Sequence, residues 1–227
     1  VVLAALINAV KLIDKKPEDC TVVASGVGAA GSSIIRMLYR YGFTKIYGFN
    51  SKGCLKKKDS DKYNFLQKEL LNYVNLDDQD YANLAEGIKG ADIFVGVSAP
   101  GVLTKEMVET MNEKNIVMAM ANPTPEISYE DAMAAGTYIF ATGRSDYPNQ
   151  VNNLLAFPGL FRGALDAKAT KITEDAKIAA SMGIASLLSE EELDREHIIV
   201  SVFDERVVPT VAESVKKCLI ESGYVRK

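Results

Sequence analysis

Gly26, Gly28 and Gly31 are the residues of this chain whose spacing most directly implies chemistry. They stand in Ser25-Gly26-Val27-Gly28-Ala29-Ala30-Gly31, after the apolar run Val22-Val23-Ala24 and before a helical pattern from Ser32 to Tyr41. Strand, glycine turn and helix start in that order leave backbone N–H groups free at the positive end of a helix dipole, where an anion is stabilised. In a dinucleotide site the first glycine permits the tight turn and the second lets a pyrophosphate approach the backbone. The third lets the helix pack on the strand. The bare spacing also serves plain glycine turns, so its context matters. Ile34, Ile35, Met37 and Leu38 fall at helical spacing, Gly42 stands where that helix ends, and a second strand pattern follows at 45–49. This is one βαβ unit of about thirty residues, and binding of a dinucleotide is its expected chemistry.

The elements that position these residues alternate along the chain. Strands are expected at 21–24, 45–49, 91–97, 115–120 and 138–142. Helices are expected at 1–13, 32–41, 65–73, 81–89, 105–111 and 128–135, with Thr104 and Ser128 as side-chain caps. Residues 155–167, 175–188 and 208–222 then read as helices. The strands are apolar runs rather than alternating patterns, which implies a parallel sheet covered on both faces. The fold class is α/β: a Rossmann-like, doubly wound, mostly parallel sheet with additional C-terminal helices. In such sheets ligands bind beyond the carboxyl ends of the strands, where the loops 25–31, 50–53, 96–101, 121–126 and 142–153 fall. The polar stretch 51–63 reads as a surface loop. The pattern divides into 1–13, a helix already in progress and expected to continue from a preceding domain; 14–165, the nucleotide-binding domain; and 166–227, a helical extension packed on it.

Bulk properties narrow the partners. The chain has 227 residues, 48% apolar and 25% charged, with a net charge of −4. This balance favours neither nucleic acid nor an anionic membrane, and no apolar run approaches the ~20 residues of a membrane span. Cys20, Cys54 and Cys218 are widely spaced without a C-x-x-C, as reduced thiols in a cytoplasmic setting would be. The single histidine, His197, has no second histidine with which to share a metal. Apolar helical surface at the start of the chain implies self-association, as a homodimer or larger assembly.

Longer motifs stand in order beyond the glycine loop. They are Ser51-Lys52-Gly53, Gly96-Val97-Ser98-Ala99-Pro100-Gly101-Val102-Leu103-Thr104 and Ala121-Asn122-Pro123-Thr124-Pro125-Glu126. Residues 141–153 follow, from Ala141-Thr142-Gly143-Arg144 to Gln150-Val151-Asn152-Asn153, then Ala156-Phe157-Pro158-Gly159 and Phe161-Arg162-Gly163-Ala164-Leu165. Over essentially its whole length the chain resembles the nucleotide-binding half of malic enzymes, particularly the short bacterial type. The resemblance implies oxidation of L-malate by NAD or NADP with decarboxylation to pyruvate, assisted by Mg²⁺ or Mn²⁺. It implies substrate contacts at Asn122, Asn152 and Asn153. Implied cofactor contacts are Gly26, Gly28, Ala29, Ala30, Gly31, Asn50, Ser51, Lys52, Ser98, Ala99, Gly101, Asn122 and Asn152. Neutral amides can orient the two carboxylates of malate without a tight ion pair. The alternative for Asn122 is an Asx turn before Pro123, and Pro100-Gly101 fits equally a simple turn. Arg144 and Asp146 can pair with each other, and Arg162 is either structural or anion-facing.

Two departures from the family stand out. Strand two of the family commonly ends in an aspartate that binds the adenosine ribose, whereas here that position is Asn50. An amide still bonds a ribose hydroxyl but does not repel a 2′-phosphate, and Lys52, Lys56, Lys57 and Lys58 lie close in sequence. Tolerance of NADP without exclusion of NAD is expected; the alternative is that the lysines form a solvated loop. The second departure is the catalytic set. The family's proton-transferring tyrosine and lysine and its metal-binding glutamate and aspartates would all lie upstream of Val1. No catalytic or metal-binding residue is therefore assigned within this chain, and alone it should bind nucleotide without turning over malate. The rival readings are a nucleotide-sensing module without its own chemistry and another two-domain dehydrogenase, which fold alone does not separate.

Overall fold

The computed structural model describes residues 1–226 and divides into two compact units. One is Ile13–Pro148; the other joins Val1–Leu12 to the residues from Asn149 onward. Helix α1 (Val2–Leu12) opens the chain and belongs to the second unit. The first unit holds β1 (Thr21–Ser25), α2 (Ala29–Tyr41), β2 (Lys45–Asn50), β3 (Gly53–Cys54), α3 (Phe65–Leu70), α4 (Leu84–Gly87), β4 (Ile93–Gly96), α5 (Lys105–Glu109), β5 (Ile116–Ala119), α6 (Tyr129–Ala134) and β6 (Ile139–Thr142). The strands form one sheet in the order β3-β2-β1-β4-β5-β6. β1, β2, β4, β5 and β6 pair in parallel and β3 is antiparallel to β2. The direction of winding reverses between β1 and β4, so the topological switch point lies between them.

The sheet is covered on both faces, as the apolar runs require. Val23, Tyr47, Phe49, Phe94, Val117 and Phe140 pack on one side with Leu103, Val108, Ile127 and Ala132. Their strand neighbours Val22, Ile46, Ile93, Ile116 and Ile139 are equally buried. Burying a Val, Ile or Phe side chain contributes about 1.5–3 kcal/mol, so the strand residues are the principal stabilising set. Helix α2 turns Gly31, Ser32, Ile35 and Leu38 inward at helical spacing. It ends at Gly42, whose φ of 125° no side-chain-bearing residue adopts easily. Thr104 and Ser128 cap α5 and α6 by accepting from Met107 N and Asp131 N at 3.3 and 3.1 Å.

Three features differ from the sequence expectation. The stretch 51–63 is not wholly a loop: Gly53 and Cys54 pair with Asn50 and Phe49 as a short edge strand. Helix α2 starts at Ala29 rather than Ser32, because the glycine turn itself winds into the first helical turn. The packing divides the chain after Pro148, not after residue 165. The reason lies in α7 (Phe157–Asp166), which packs with α9 (Val207–Glu221). A Cβ at Gly163 would lie 2.4 Å from Ala212 O and one at Gly159 2.5 Å from Val211 Cβ, so only glycine permits that approach. Helix α8 (Glu174–Ala185) also packs on α9 and on α1. Buried Asn8 joins this second unit by donating to Ala185 O and Ile198 O, each at 3.1 Å.

Candidate functional site

The glycine loop is built for backbone approach. Gly26 has a φ of 100°, and its N–H donates to Phe49 O at 2.9 Å, tying the turn to the end of β2. A Cβ at Gly26 would lie 2.5 Å from Val97 O, and one at Gly31 would lie 1.7 Å from Gly26 O. These two glycines are therefore demanded by the protein's own packing. Gly28 is different. It is exposed, a Cβ there would meet nothing within 4 Å, and its backbone (φ −82°, ψ −162°) suits any residue. The fold does not need a glycine at this position; a group approaching from outside would. Gly28 is also the N-cap of α2 and supplies no side-chain cap. The first N–H groups of a helix have no intrahelical acceptor, and Ala29 and Ala30, which follow Gly28 in that first turn, are both exposed. The arrangement fits the diphosphate of a dinucleotide.

Beside this loop, the ends of β1, β4 and β5 are joined by a polar chain. Ser25 Oγ and Ser98 Oγ lie 2.9 Å apart across the switch point. Glu126 then bridges two loops: its Oε1 accepts from Ser98 N at 2.8 Å and Ser98 Oγ at 3.3 Å, and its Oε2 from Ala121 N at 2.9 Å. The Glu126 side chain is fully buried against Gly96, where a Cβ would stand 2.4 Å from the carboxyl carbon. Leu103 N also donates to Glu126 O at 3.1 Å. The sequence reading missed this role for Glu126 and Ser25. Its available signal was Gly96, a glycine ending a buried strand.

Ser98, Ala99 and Gly101 are exposed after β4, and Asn122 is exposed after β5. The Asn122 side chain makes no hydrogen bond among the described residues, so the Asx turn considered for it is not formed; the Asn122–Pro123 peptide is cis. Asn50 does form such a turn: its Oδ1 accepts from Lys52 N at 2.7 Å. Asn50, Ser51 and Lys52 line a cleft of about 280 Å³ with Lys56, Lys62 and Tyr63. The lysines are not equally available. Lys56 and Lys58 both pair with Asp80, and Lys62 pairs with Asp59 at 2.7 Å. Hydrogen bonds from Lys56 and Lys58 hold the Asp80 carboxyl down at about 2. Lys52 is exposed and has no ion-pair partner among the described residues. Cys54, at the same cleft, is buried, and desolvation pushes its thiol up to about 12.

The loop after β6 is braced by its own side chains. Arg144 binds Asp146 through two contacts, Nε to Oδ1 at 2.9 Å and Nη2 to Oδ2 at 2.5 Å, and lies 5.5 Å from the Tyr147 ring centre. Tyr147 stacks on Tyr129 and donates to Glu130 at 2.9 Å. Arg162, in the second unit, pairs with Asp166 at 2.8 Å. Asn152 and Asn153 also belong to that unit. Asn152 Oδ1 accepts from Leu154 N at 3.0 Å and caps a single helical turn. Asn153 is exposed and makes no side-chain hydrogen bond among the described residues. His197 is exposed, with Nδ1 3.1 Å from Glu192 O. Among the described residues no three His, Cys, Asp or Glu side chains converge to hold a metal. No helix among them is long and apolar enough to cross a membrane.

Comparison with known proteins places these features in a family. The family described as "Malic enzyme, NAD binding domain" matches residues 1–220. A relative named "Bifunctional malic/malolactic enzyme", from Bacillus subtilis (strain 168), is 49% identical over 100% of this chain and 55% of its own length. An "NADP-dependent malic enzyme" from Haemophilus influenzae is 41% identical over 99% of this chain and 31% of its own length. The crystal structure of malic enzyme from Pyrococcus horikoshii superposes with a TM-score of 0.93 at 39% identity, covering 100% of this chain and 54% of that one. The chain thus spans about a third to just over half the length of these proteins.

Proposed function

The chain belongs to the malic enzyme NAD-binding domain family, and from that premise we propose that it is the nucleotide-binding part of an oxidoreductase that converts L-malate to pyruvate and CO2 with NAD or NADP. The observation that carries the reading is the glycine loop. Gly26 and Gly31 are required by packing, whereas Gly28 is open and sits at an uncapped helix start. When bound, the nicotinamide supplies the acceptor for the hydride leaving C2 of malate. The backbone N–H groups of Gly28, Ala29 and Ala30 hold the diphosphate. Asn50, with its Oδ1 committed to Lys52 N, offers its amide nitrogen to the adenosine ribose. Ser98, Ala99 and Gly101 border the second ribose and the nicotinamide, where the switch point leaves the crevice.

Asn122 is a substrate-facing and ribose-facing amide in this reading, because its side chain is exposed and uncommitted. Asn152 is read as a substrate and cofactor contact, and Asn153 as a substrate contact alone. The neutral Asn50 and the unpaired Lys52 support acceptance of a 2′-phosphate beside a plain ribose hydroxyl. The complete protein is expected to carry its proton-transferring groups outside these residues and to self-associate.

The test is malate-dependent reduction of NAD and NADP by the full-length protein, with and without Mn²⁺. Pyruvate should form in step with reduced nucleotide, and both nucleotides should serve. Nucleotide binding without malate-dependent reduction would favour a sensing module. Reduction driven by another hydroxy or amino acid, and not by malate, would favour a different dehydrogenase.

A further inference from the structure

Glu126 is a buried acidic side chain held by neutral protein donors. It is 0% exposed, and no Lys, Arg or His pairs with it among the described residues. Removing a carboxylate from water is expensive unless hydrogen bonds replace the solvent. Here three donors do so, and they come from two loops. Ser98 N and Ser98 Oγ belong to the turn after β4, and Ala121 N belongs to the turn that carries Asn122. The sheet makes room for this group by ending β4 in Gly96, since a side chain there would occupy the position of the carboxyl carbon. Ser98 in turn reaches Ser25, at the root of the glycine loop. One buried side chain thus sets the spacing between two loops whose exposed tips face the crevice beyond the strand ends.

We propose that Glu126 is a positioning residue for the redox half of the cofactor. It holds Ser98 and the Ala121–Asn122 turn in the one relative geometry that accepts the nicotinamide and its ribose, while contributing nothing to the adenosine diphosphate half. This rests on the cofactor reading above. The division follows from placement: the diphosphate is held by the first turn of α2, which Glu126 does not touch, whereas both loops bound by Glu126 lie at β4 and β5. An amide at this position keeps one acceptor oxygen but turns an NH2 group toward one of the two backbone donors. One loop is then released, and a buried N–H is left without a partner.

The test compares two ligands on the full-length protein by calorimetric titration: NAD, and ADP, which lacks both the nicotinamide and its ribose. With Glu126→Gln, NAD should bind roughly tenfold more weakly or worse, the loss expected for a charged hydrogen bond. ADP should bind as it does to the parent protein. Glu126→Asp, which keeps the charge but is too short to span both loops, should show the same split. Equal weakening of both ligands, including total loss through misfolding of both variants, would make Glu126 a purely structural residue and overturn the proposal. Unchanged NAD affinity in either variant would overturn it as well. Failure of the parent protein to bind either ligand would instead count against the cofactor reading itself.

Discussion

The three glycines of one loop answer to different constraints, and substitution should separate them. At Gly28 an added methyl meets no protein atom, and alanine restricts the unfolded chain more than glycine does. Gly28→Ala should therefore fold with stability close to the parent's, the chain-entropy gain of up to about 1 kcal/mol being offset by alanine's poorer fit at an N-cap. The methyl would nevertheless stand where the diphosphate approaches, so NAD affinity should fall by about tenfold or more, the equivalent of 1.4 kcal/mol. Gly31→Ala should instead destabilise the fold. Its Cβ would sit 1.7 Å from Gly26 O, and overpacking of this kind costs about 1–3 kcal/mol or more. Thermal melts and nucleotide titrations of the two variants check both halves of the statement. At Asn153, exposed and uncommitted, alanine should raise the KM for malate severalfold in the complete enzyme while leaving the Kd for NAD nearly unchanged. A KM equal to that of the parent enzyme would remove Asn153 from the substrate site.

The loop after β2 sets how the protein treats a 2′-phosphate. Two of its lysines, Lys56 and Lys58, are occupied by Asp80. Asp80→Asn should free both, and since Lys56 lines the cleft, NADP affinity should rise relative to NAD at low salt. Screening should erase the gain at high ionic strength. A ratio of NADP to NAD affinity that does not move would put the 2′-phosphate elsewhere. The Asp80 pairing also has a defined pH range. The folded carboxyl is depressed to about 2, below the ordinary value of ~3.9. The pairing is therefore fully present above about pH 4 and lost as pH falls through about 2. Screening by solvent at this exposed site makes it a device of charge placement rather than of stability.

The same loop shows where sequence reading stops. The five parallel strands were legible because each is a continuous apolar run bounded by turn residues, and Thr104 and Ser128 because capping is local. The strand at Gly53–Cys54 has only two residues in the ladder, too few to leave a periodic signal in a lysine-rich stretch. Glu126 was illegible for another reason. A glutamate after Thr-Pro reads as surface, and its principal partner, Ser98, lies 28 residues away.

At the scale of the molecule, burial decides which thiols can react. Desolvation raises Cys20 to about 11 and Cys54 to about 12, and both are buried, while Cys218 is only partly so. The thiolate is the nucleophile, so at pH 8 a thiol reagent should label Cys218 first and reach Cys20 and Cys54 only on unfolding. Mass mapping of the labelled native protein checks this. The packing of α7 on α9 through Gly159 and Gly163 explains why residues 149–165 join the helical unit, a tertiary fact that no local pattern carries. What the glycine loop is proposed to serve is the delivery of a hydride from malate to the nucleotide it holds.

The most direct measurement is a crystal structure of the full-length protein with NAD bound. The diphosphate oxygens should lie within about 3 Å of the backbone N–H groups at Gly28, Ala29 and Ala30, the ordinary N–H···O distance. The nicotinamide should sit beyond the ends of β4 and β5. A nucleotide bound with its diphosphate away from this turn would contradict the account.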